Sequence, residues 1–237
     1  MPGSALKSVA RKLMIANSPR LLLISFIYVL MITIVAWLAV RLPGSIRLED
    51  IYARLSSGEI PSLAIIYTDF RPTGVFLALL LLLLRPLLDF GFISYCLKLS
   101  REQKTDFKDL FNGFIFSLKV LSIFLITSLY IFLWSMLLIV PGIVASYRYR
   151  QAYYILIDDP RKGALQCISE SCIMMNGKKL DLLTIDLSFI GWFFLDMLVV
   201  VLTPLPFAFP FISLWISPYL GLTRAAFYED LITNVAV

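Results

Sequence analysis

The stretch LLLISFIYVLMITIVAWLAV, residues 21–40, decides the fold class of this chain. It is twenty residues long, carries no charge and is bracketed by Arg20 and Arg41. At about 1.5 Å of rise per residue, a helix of this length covers a hydrocarbon core of about 30 Å. A secretory signal peptide has a shorter apolar region, followed by a cleavage site of small residues. The sequence continues with Leu42-Pro43-Gly44 instead, which favours a retained transmembrane helix.

The composition of the whole chain agrees with this first helix. Of 237 residues, 59% are apolar and 16% are charged, against roughly 45–50% and 25% in soluble domains. A soluble domain of this size could not bury so much apolar surface, so the excess is expected to face lipid. The composition therefore excludes a soluble enzyme, a nucleic-acid-binding module, a disordered chain and a disulfide scaffold. The net charge of +5 is better explained by positively charged inner loops than by a nucleic-acid partner.

Missing residue types limit the chemistry of the chain. It has no histidine, which excludes imidazole acid–base catalysis, His-ligated metal sites and the H-E-x-x-H motif. Its three cysteines, Cys96, Cys167 and Cys172, form no C-x-x-C pair and are interpreted as small apolar residues. The sequence also lacks a P-loop, a dinucleotide fingerprint and a G-x-S-x-G motif. We therefore expect no metal, no cofactor and no enzyme activity.

Five more spans are predicted after the first. Their approximate bounds are 74–97, 120–140, 143–157, 182–203 and 207–228. Pro141-Gly142 is predicted to end the third span and Pro204-Leu205-Pro206 to separate the last two. The fourth span is short and carries Arg148 and Arg150 among four tyrosines, so a hydropathy average alone would miss it.

The positions of the lysines support the fourth crossing. All nine lysines lie in the N-terminal segment, in segment 98–119 or in segment 158–181. Cytoplasmic loops carry an excess of lysine and arginine, so these three segments are predicted to be cytoplasmic. Segments 98–119 and 158–181 share a side only if the chain crosses twice between them. Residues 143–157 are then a return crossing after a Pro141-Gly142 hairpin.

The predicted fold class is therefore an all-α polytopic membrane protein. It consists of a single transmembrane domain over residues 1–237, with about six transmembrane helices and both termini cytoplasmic. Loop 41–73 is the long outer loop, and its four arginines balance its four acidic residues.

Three inner segments, 4–16, 105–117 and 160–176, are predicted to be short amphipathic helices. Their apolar stripes are Leu6, Val9, Ala10 and Leu13 in the first, Phe107, Leu110, Phe111 and Phe114 in the second, and Ala164, Leu165, Ile168, Cys172 and Met175 in the third. In the third, Asp159-Pro160 is the predicted helix start and Gly177 the predicted stop. This spacing suits helices lying at the membrane interface. The alternative is that the stripes pack on other parts of the same protein.

The second half of the chain contains a series of short segments with a particular order and spacing. They are Leu138-Ile139-Val140-Pro141-Gly142-Ile143, Tyr147-Arg148-Tyr149, Ile155-Leu156-Ile157-Asp158-Asp159-Pro160, Ser171-Cys172-Ile173-Met174-Met175-Asn176-Gly177, Leu187-Ser188-Phe189-Ile190-Gly191-Trp192, Ser217-Pro218-Tyr219 and Ala226-Phe227-Tyr228. With these segments, residues 100–231 resemble the bacterial membrane-protein family catalogued as domain of unknown function 975. The resemblance implies an integral protein of the bacterial cytoplasmic membrane. It implies no activity, cofactor or catalytic residue.

A few ionisable residues are predicted at membrane depth, where they usually mark a pathway, a cavity or a structural pair. They are Arg85 and Asp89 in span two, Arg148 and Arg150 in span four, and Asp186 and Asp196 in span five. Arg85 and Asp89 are four residues apart, so they are expected to neutralise each other on one helix face. At least one of Arg148 and Arg150 is expected to face the interior and to pair with an acid on span two or five, preferably Asp196.

One side of span four is predicted to be polar. It carries Tyr147, Arg150 or Gln151, Tyr154 and Asp158. This side either lines a polar cavity among spans two, four and five, or forms an aromatic belt whose arginines reach the interface.

Three classes of function remain compatible with the sequence. The favoured one is a transport-related or lipid-handling membrane protein that uses the polar cavity and has membrane lipids as partners. The alternative is a non-catalytic scaffold or accessory subunit, which binds another membrane protein or a second copy of the chain. An intramembrane enzyme is the least favoured, because Asp186 and Asp196 on a single helix are poorly placed to act as facing carboxylates.

Overall fold

A computed structural model describes residues 3–41, 56, 72–202 and 210–235. Within these ranges the regular structure is helical, and no residue is in a strand. The α-helices are α1 (Gly3–Ala16), α2 (Ser18–Arg41), α3 (Pro72–Ser100), α4 (Asn112–Ile115), α5 (Ser117–Leu137), α6 (Ile139–Arg148), α7 (Ala152–Asp158), α8 (Ala164–Met174), α9 (Lys179–Leu187), α10 (Ile190–Leu202) and α11 (Phe211–Val235). A 3-10 helix, Phe107–Phe111, precedes α4. The predicted all-α class is confirmed.

Four segments of the described chain are long and apolar enough to cross a membrane. They are Ser18–Leu38, Phe76–Ser100, Ser117–Leu137 and Lys179–Val199. They agree with predicted spans one, two, three and five, and they define a polytopic membrane protein. Within the described residues, the predicted fourth and sixth spans do not meet the same criteria of length and composition, and residues 207–209 of span six lie outside the described ranges, so six crossings are not confirmed.

The chain divides into two compact units. The first contains Met1–Val29 and Pro86–Val237, and the second contains Leu30–Arg85. In the second unit, the part of α3 before Pro86 exposes large apolar side chains such as Phe76 and Leu79, as a lipid-facing helix does. Most of the predicted outer loop 41–73 lies outside the described residues, and its ends, Arg41 and Pro72, belong to α2 and α3.

The apolar core of the first unit joins α1, α9 and α11. Helix α1 packs on α11 and buries Leu6, Ala10 and Met14. The core also includes Met175 after α8, Ile185 of α9 and Phe227 of α11. Of the predicted α1 stripe, Leu6 and Ala10 therefore pack on the same protein, whereas Val9 is 41% exposed.

Helices α5 and α6 form a tight hairpin with a single connecting residue. Leu138 is extended, with φ −162° and ψ 150°, and α6 begins at Ile139. Pro141 thus lies in the first turn of α6, where its missing N–H breaks no helical hydrogen bond. A Cβ on Gly142 would lie 2.1 Å from the Ser135 hydroxyl, so this glycine permits the close approach of the two helices. The predicted turn at Pro141-Gly142 is wrong, because the chain reverses three residues earlier.

The return path from this hairpin follows α5 back to its beginning. The Tyr149 ring lies 5.7 Å from that of Tyr130 in the middle of α5. At the other end, Lys119 Nζ donates to the Pro160 carbonyl. The return path is interrupted, because α6 ends at Arg148 and α7 begins at Ala152. Predicted span four is therefore two short helices in succession rather than one.

The segment before α5 is fixed against α3 by backbone contact. A Cβ on Gly91 would lie 1.8 Å from the Leu110 carbonyl oxygen, and a Cβ on Gly113 would lie 2.0 Å from the Leu87 carbonyl oxygen. Lys98 also pairs with Asp109 at 2.6 Å. Leu110 is fully buried, whereas the other three members of its predicted stripe are exposed: Phe107, Phe111 and Phe114. The stripe is therefore divided between the protein core and the outer surface.

One other predicted helix boundary is revised, and predicted span five is interrupted. Helix α8 begins after Gly163, so the predicted start at Asp159-Pro160 is wrong. Gly177, with φ +75°, makes the turn after α8, a conformation that glycine adopts at low cost. Predicted span five consists of α9 and α10, with Ser188 and Phe189 between them. The break faces α1, since Lys7 donates to the Ser188 hydroxyl.

Candidate functional site

Asp186 lies at the centre of a polar cluster formed by four segments. Arg224 of α11 binds its carboxylate through two guanidinium nitrogens, with Nε 3.0 Å from Oδ1 and Nη2 3.0 Å from Oδ2. Tyr147 of α6 donates its hydroxyl to Oδ2 at 3.3 Å. Arg150, in the interruption between α6 and α7, lies 3.9 Å from the same oxygen. The carboxylate is 15% exposed, so it is largely removed from solvent and lipid.

The cluster carries more positive than negative charge. Two guanidinium groups face one carboxylate, and Arg224 makes the close contacts to it. The Arg150 side chain is 42% exposed. Its distance of 3.9 Å exceeds that of a hydrogen bond. The Arg150 guanidinium therefore has no hydrogen-bond partner among the described residues.

A single serine satisfies the backbone at the helix interruption. The Ser171 hydroxyl of α8 donates to the Arg148 carbonyl at 2.9 Å and accepts from the Gln151 N–H at 3.1 Å. Helix ends leave such groups without helical partners, so a side chain that bonds to both of them stabilises the interruption. The Gln151 side chain is 1% exposed, and its Oε1 is buried without a hydrogen-bond partner. Ser171 thus stabilises the interruption between α6 and α7, in which Arg150 lies.

Removal of the Ser171 hydroxyl should weaken the protein selectively. We expect Ser171→Ala to lower the free energy of unfolding by about 1–3 kcal/mol, because it leaves two buried backbone groups unsatisfied. Ser169→Ala is the matched control on the same helix, where the side chain is exposed, and its effect should stay within about 0.5 kcal/mol. Chemical unfolding in detergent micelles measures both, and equal effects of the two variants would contradict the assigned role of Ser171.

A second ionic cluster lies where α3 and α7 end, beside residues 228–229 of α11. Arg101 binds Asp158 through both Nη atoms, at 2.7 and 3.0 Å, and binds Glu229 through Nε at 2.7 Å. The hydrogen bonds that Arg101 donates to Asp158 are the largest of several contributions, and they raise the pKa of Arg101 above its ordinary value. Tyr228 also donates to Asp158, at 2.8 Å, and its ring stacks on Tyr154 with centroids 4.9 Å apart. Tyr154, a predicted site residue on α7, is buried against α11.

Asp196 has a different role from the predicted one. Its carboxylate accepts from the backbone N–H of Ile212 at 3.0 Å and from the Ser213 hydroxyl. It therefore caps the first turn of α11 from the neighbouring helix α10. Free N–H groups and the helix dipole both stabilise a negative charge there. Asp196 as the partner of Arg148 or Arg150 is wrong, and the partner of Arg150 on predicted span five is Asp186.

The remaining predicted site residues are Arg85, Asp89 and Arg148. Asp89 of α3 accepts from the Tyr28 hydroxyl at 2.7 Å, and the Tyr28 ring stacks on Phe92 at 4.1 Å. Arg85 lies one turn before Asp89 on α3, and their mutual neutralisation stays a prediction. The Arg148 side chain is exposed.

Sequence reasoning missed two important residues of this site. Arg224 lies inside predicted span six, where a charged residue in an apolar segment was an available signal. Ser171 gave no such signal, because a serine acquires its role at a helix break only through tertiary packing. Tyr147 and Gln151 were on the predicted polar side of span four.

The helices and this cluster together define a polytopic α-helical membrane protein with a polar site built on an interrupted helix. Residues 136–235 match the family model described as Protein of unknown function (DUF975). The resemblance to domain of unknown function 975 is thereby confirmed over this segment. The matched range contains Tyr147, Arg150, Asp186 and Arg224. No curated protein and no solved structure matches the chain.

Proposed function

We propose that this chain is a lipid-handling, transport-related membrane protein that uses the Asp186 cluster as its polar site. One observation carries the proposal: the interruption between α6 and α7 brings a partly exposed Arg150 beside the Asp186–Arg224 pair. Interrupted helices at membrane depth are tolerated where neighbouring groups satisfy the freed backbone. In transporters such helices form substrate sites. Ser171 supplies that support here.

The direct test is purification from native membranes without detergent. The protein is extracted in polymer-bounded lipid discs, and the lipids and proteins that accompany it are identified and quantified by mass spectrometry. The proposal expects one lipid class to be enriched over its share of the surrounding membrane. A protein present in fixed stoichiometry, with lipids in the same proportions as the bulk membrane, would overturn it.

That opposite outcome would favour a non-catalytic accessory subunit. This alternative has its own support, because Arg224 alone provides Asp186 with a complete two-point contact, as in a purely structural pair. Another membrane protein or a second copy of the chain would then be the partner.

The proposed membrane is the bacterial cytoplasmic membrane, with six crossings and both termini on the cytoplasmic side. The lysine distribution supports this arrangement. It is further supported by the contact between Lys119 and Pro160, and by the ion pair between Arg101 and Asp158. Both contacts join the two lysine-bearing segments 98–119 and 158–181, as expected if α6 and α7 together return across the membrane.

Cysteine accessibility in intact cells tests this topology. Ser57→Cys and Gly163→Cys are made singly in a background without the three native cysteines and exposed to a membrane-impermeant thiol reagent. Gly163 is a suitable position, because nothing lies within 4 Å of a Cβ added there. We expect Ser57→Cys to be labelled in intact cells and Gly163→Cys only after lysis. Labelling of Gly163→Cys but not Ser57→Cys in intact cells would invalidate the topology.

A further inference from the structure

We propose that Arg150, assisted by Arg224, binds the phosphate group of a membrane phospholipid beside Asp186. The inference rests on the proposed lipid-handling function and names the chemical group that the site takes. It concerns Arg150 because its side chain makes no hydrogen bond within the described residues, whereas Arg224 binds Asp186 at two points.

The first step of the argument is the charge balance. With Arg150, Arg224 and Asp186 ionised, the cluster has a net charge of +1. Excess charge is costly beside hydrocarbon, even where the side chain reaches towards the interface. A phosphodiester carries one negative charge, so one bound headgroup phosphate makes the cluster neutral.

The second step is the hydrogen-bond geometry. Asp186 accepts two close bonds from Arg224 and a third from Tyr147. Arg150 approaches only to 3.9 Å. Within the described residues its side chain makes no hydrogen bond, although a guanidinium has five N–H donors. The side chain is 42% exposed, so part of it can be reached by a group from outside the protein.

The third step is the match between donor and ligand. A guanidinium is planar and presents paired donors, so it binds phosphate oxygens at two points. Phosphate is also the anion that every phospholipid carries. Free phosphate has the same chemistry, so the test separates it from the lipid.

The test compares four ligands on the delipidated full-length protein in an uncharged detergent. They are phosphatidylglycerol, phosphatidylcholine, diacylglycerol and inorganic phosphate, and binding is followed by native mass spectrometry and by the shift in melting temperature. We expect both phospholipids to bind and to raise the melting temperature, and diacylglycerol, which lacks phosphate, to bind at least about 10-fold more weakly. Inorganic phosphate should give no comparable shift at equal concentration.

Variants at Arg150 then locate the site. Arg150→Gln should weaken phospholipid binding by about 10- to 100-fold, the effect of losing a charge-assisted hydrogen bond. Arg150→Lys should have an intermediate effect, because it keeps the charge and loses the paired donors. Arg161→Gln is the control, since it removes one positive charge from an exposed loop residue. The Asp186–Arg224 contacts do not involve Arg150, so the melting temperature of ligand-free Arg150→Gln should stay close to that of the wild type.

Each contrary result has a distinct meaning. Equal binding of diacylglycerol and phospholipid, or equal effects of Arg150→Gln and Arg161→Gln, would overturn the phosphate site and leave a lipid-handling function in place. Binding of inorganic phosphate without phospholipid would overturn the lipid as its source. Failure of the wild-type protein to bind any of the lipids would count against the proposed function itself.

Discussion

Gly91→Ala is expected to destabilise the protein by at least about 3 kcal/mol, at the upper end of the range for overpacking. The added Cβ would lie 1.8 Å from the Leu110 carbonyl oxygen and 2.4 Å from its carbonyl carbon. Both atoms belong to the backbone, so no side-chain rotation relieves the clash. Helix α3 would have to separate from the segment before α5, which would also disturb Gly113 against Leu87. Thermal and denaturant unfolding in micelles measure the loss.

Gly191→Ala is the matched control for this prediction. Gly191 also lies in a helix, but no atom of the described residues is within 4 Å of a Cβ placed there. The change should be neutral or stabilising by up to about 1 kcal/mol, because alanine favours the helix over glycine. Gly113→Ala should resemble Gly91→Ala, since its Cβ would meet the Leu87 carbonyl oxygen. If Gly91→Ala melts at the same temperature as Gly191→Ala, the backbone contact does not exist as described.

The fold class could be predicted because it depends on properties that accumulate along the chain. The twenty apolar residues at 21–40 are sufficient for one span, whatever packs beside them. The helix interruptions were less predictable. Span three ends at Leu138 rather than at Pro141-Gly142, because a proline in a first helical turn disturbs no hydrogen bond. Sequence alone does not distinguish that position from a helix stop.

The identity of ionic partners depends on lateral packing, which periodicity does not encode. Sequence spacing placed Asp186 and Asp196 on one predicted span. It did not indicate that one would bind an arginine and the other the beginning of a helix. The structure places Asp196 at the beginning of α11 and Asp186 opposite Arg224. The free-energy cost of an unpaired charge at membrane depth indicated that an arginine of span four would lie near an acidic residue. Which acidic residue it would be depended on the packing register of α9 and α11.

A double-mutant cycle at Asp186 and Arg224 should show strong coupling. Asp186→Leu alone is expected to cost about 3–5 kcal/mol, because it leaves a largely buried guanidinium without its counter-charge beside a second one. Arg224→Met alone should also be strongly destabilising, since Arg150 approaches Asp186 only to 3.9 Å and replaces the lost contacts poorly. The double variant should be more stable than the sum of the single effects predicts, by at least about 2 kcal/mol.

Two comparisons make this cycle specific. Asp181→Asn removes another acidic residue of the same helix. The Asp181 side chain is 57% exposed, and its partner Lys178 is 3.8 Å away, so the effect on the free energy of unfolding should stay below about 1 kcal/mol. Asp196→Leu combined with Arg150→Met should be additive within about 0.5 kcal/mol, because Asp196 binds the beginning of α11 rather than an arginine. Additivity in the Asp186 cycle, or coupling in the Asp196 cycle, would show that the charges of this site are paired differently. The excess positive charge assigned to Arg150 would then have no basis.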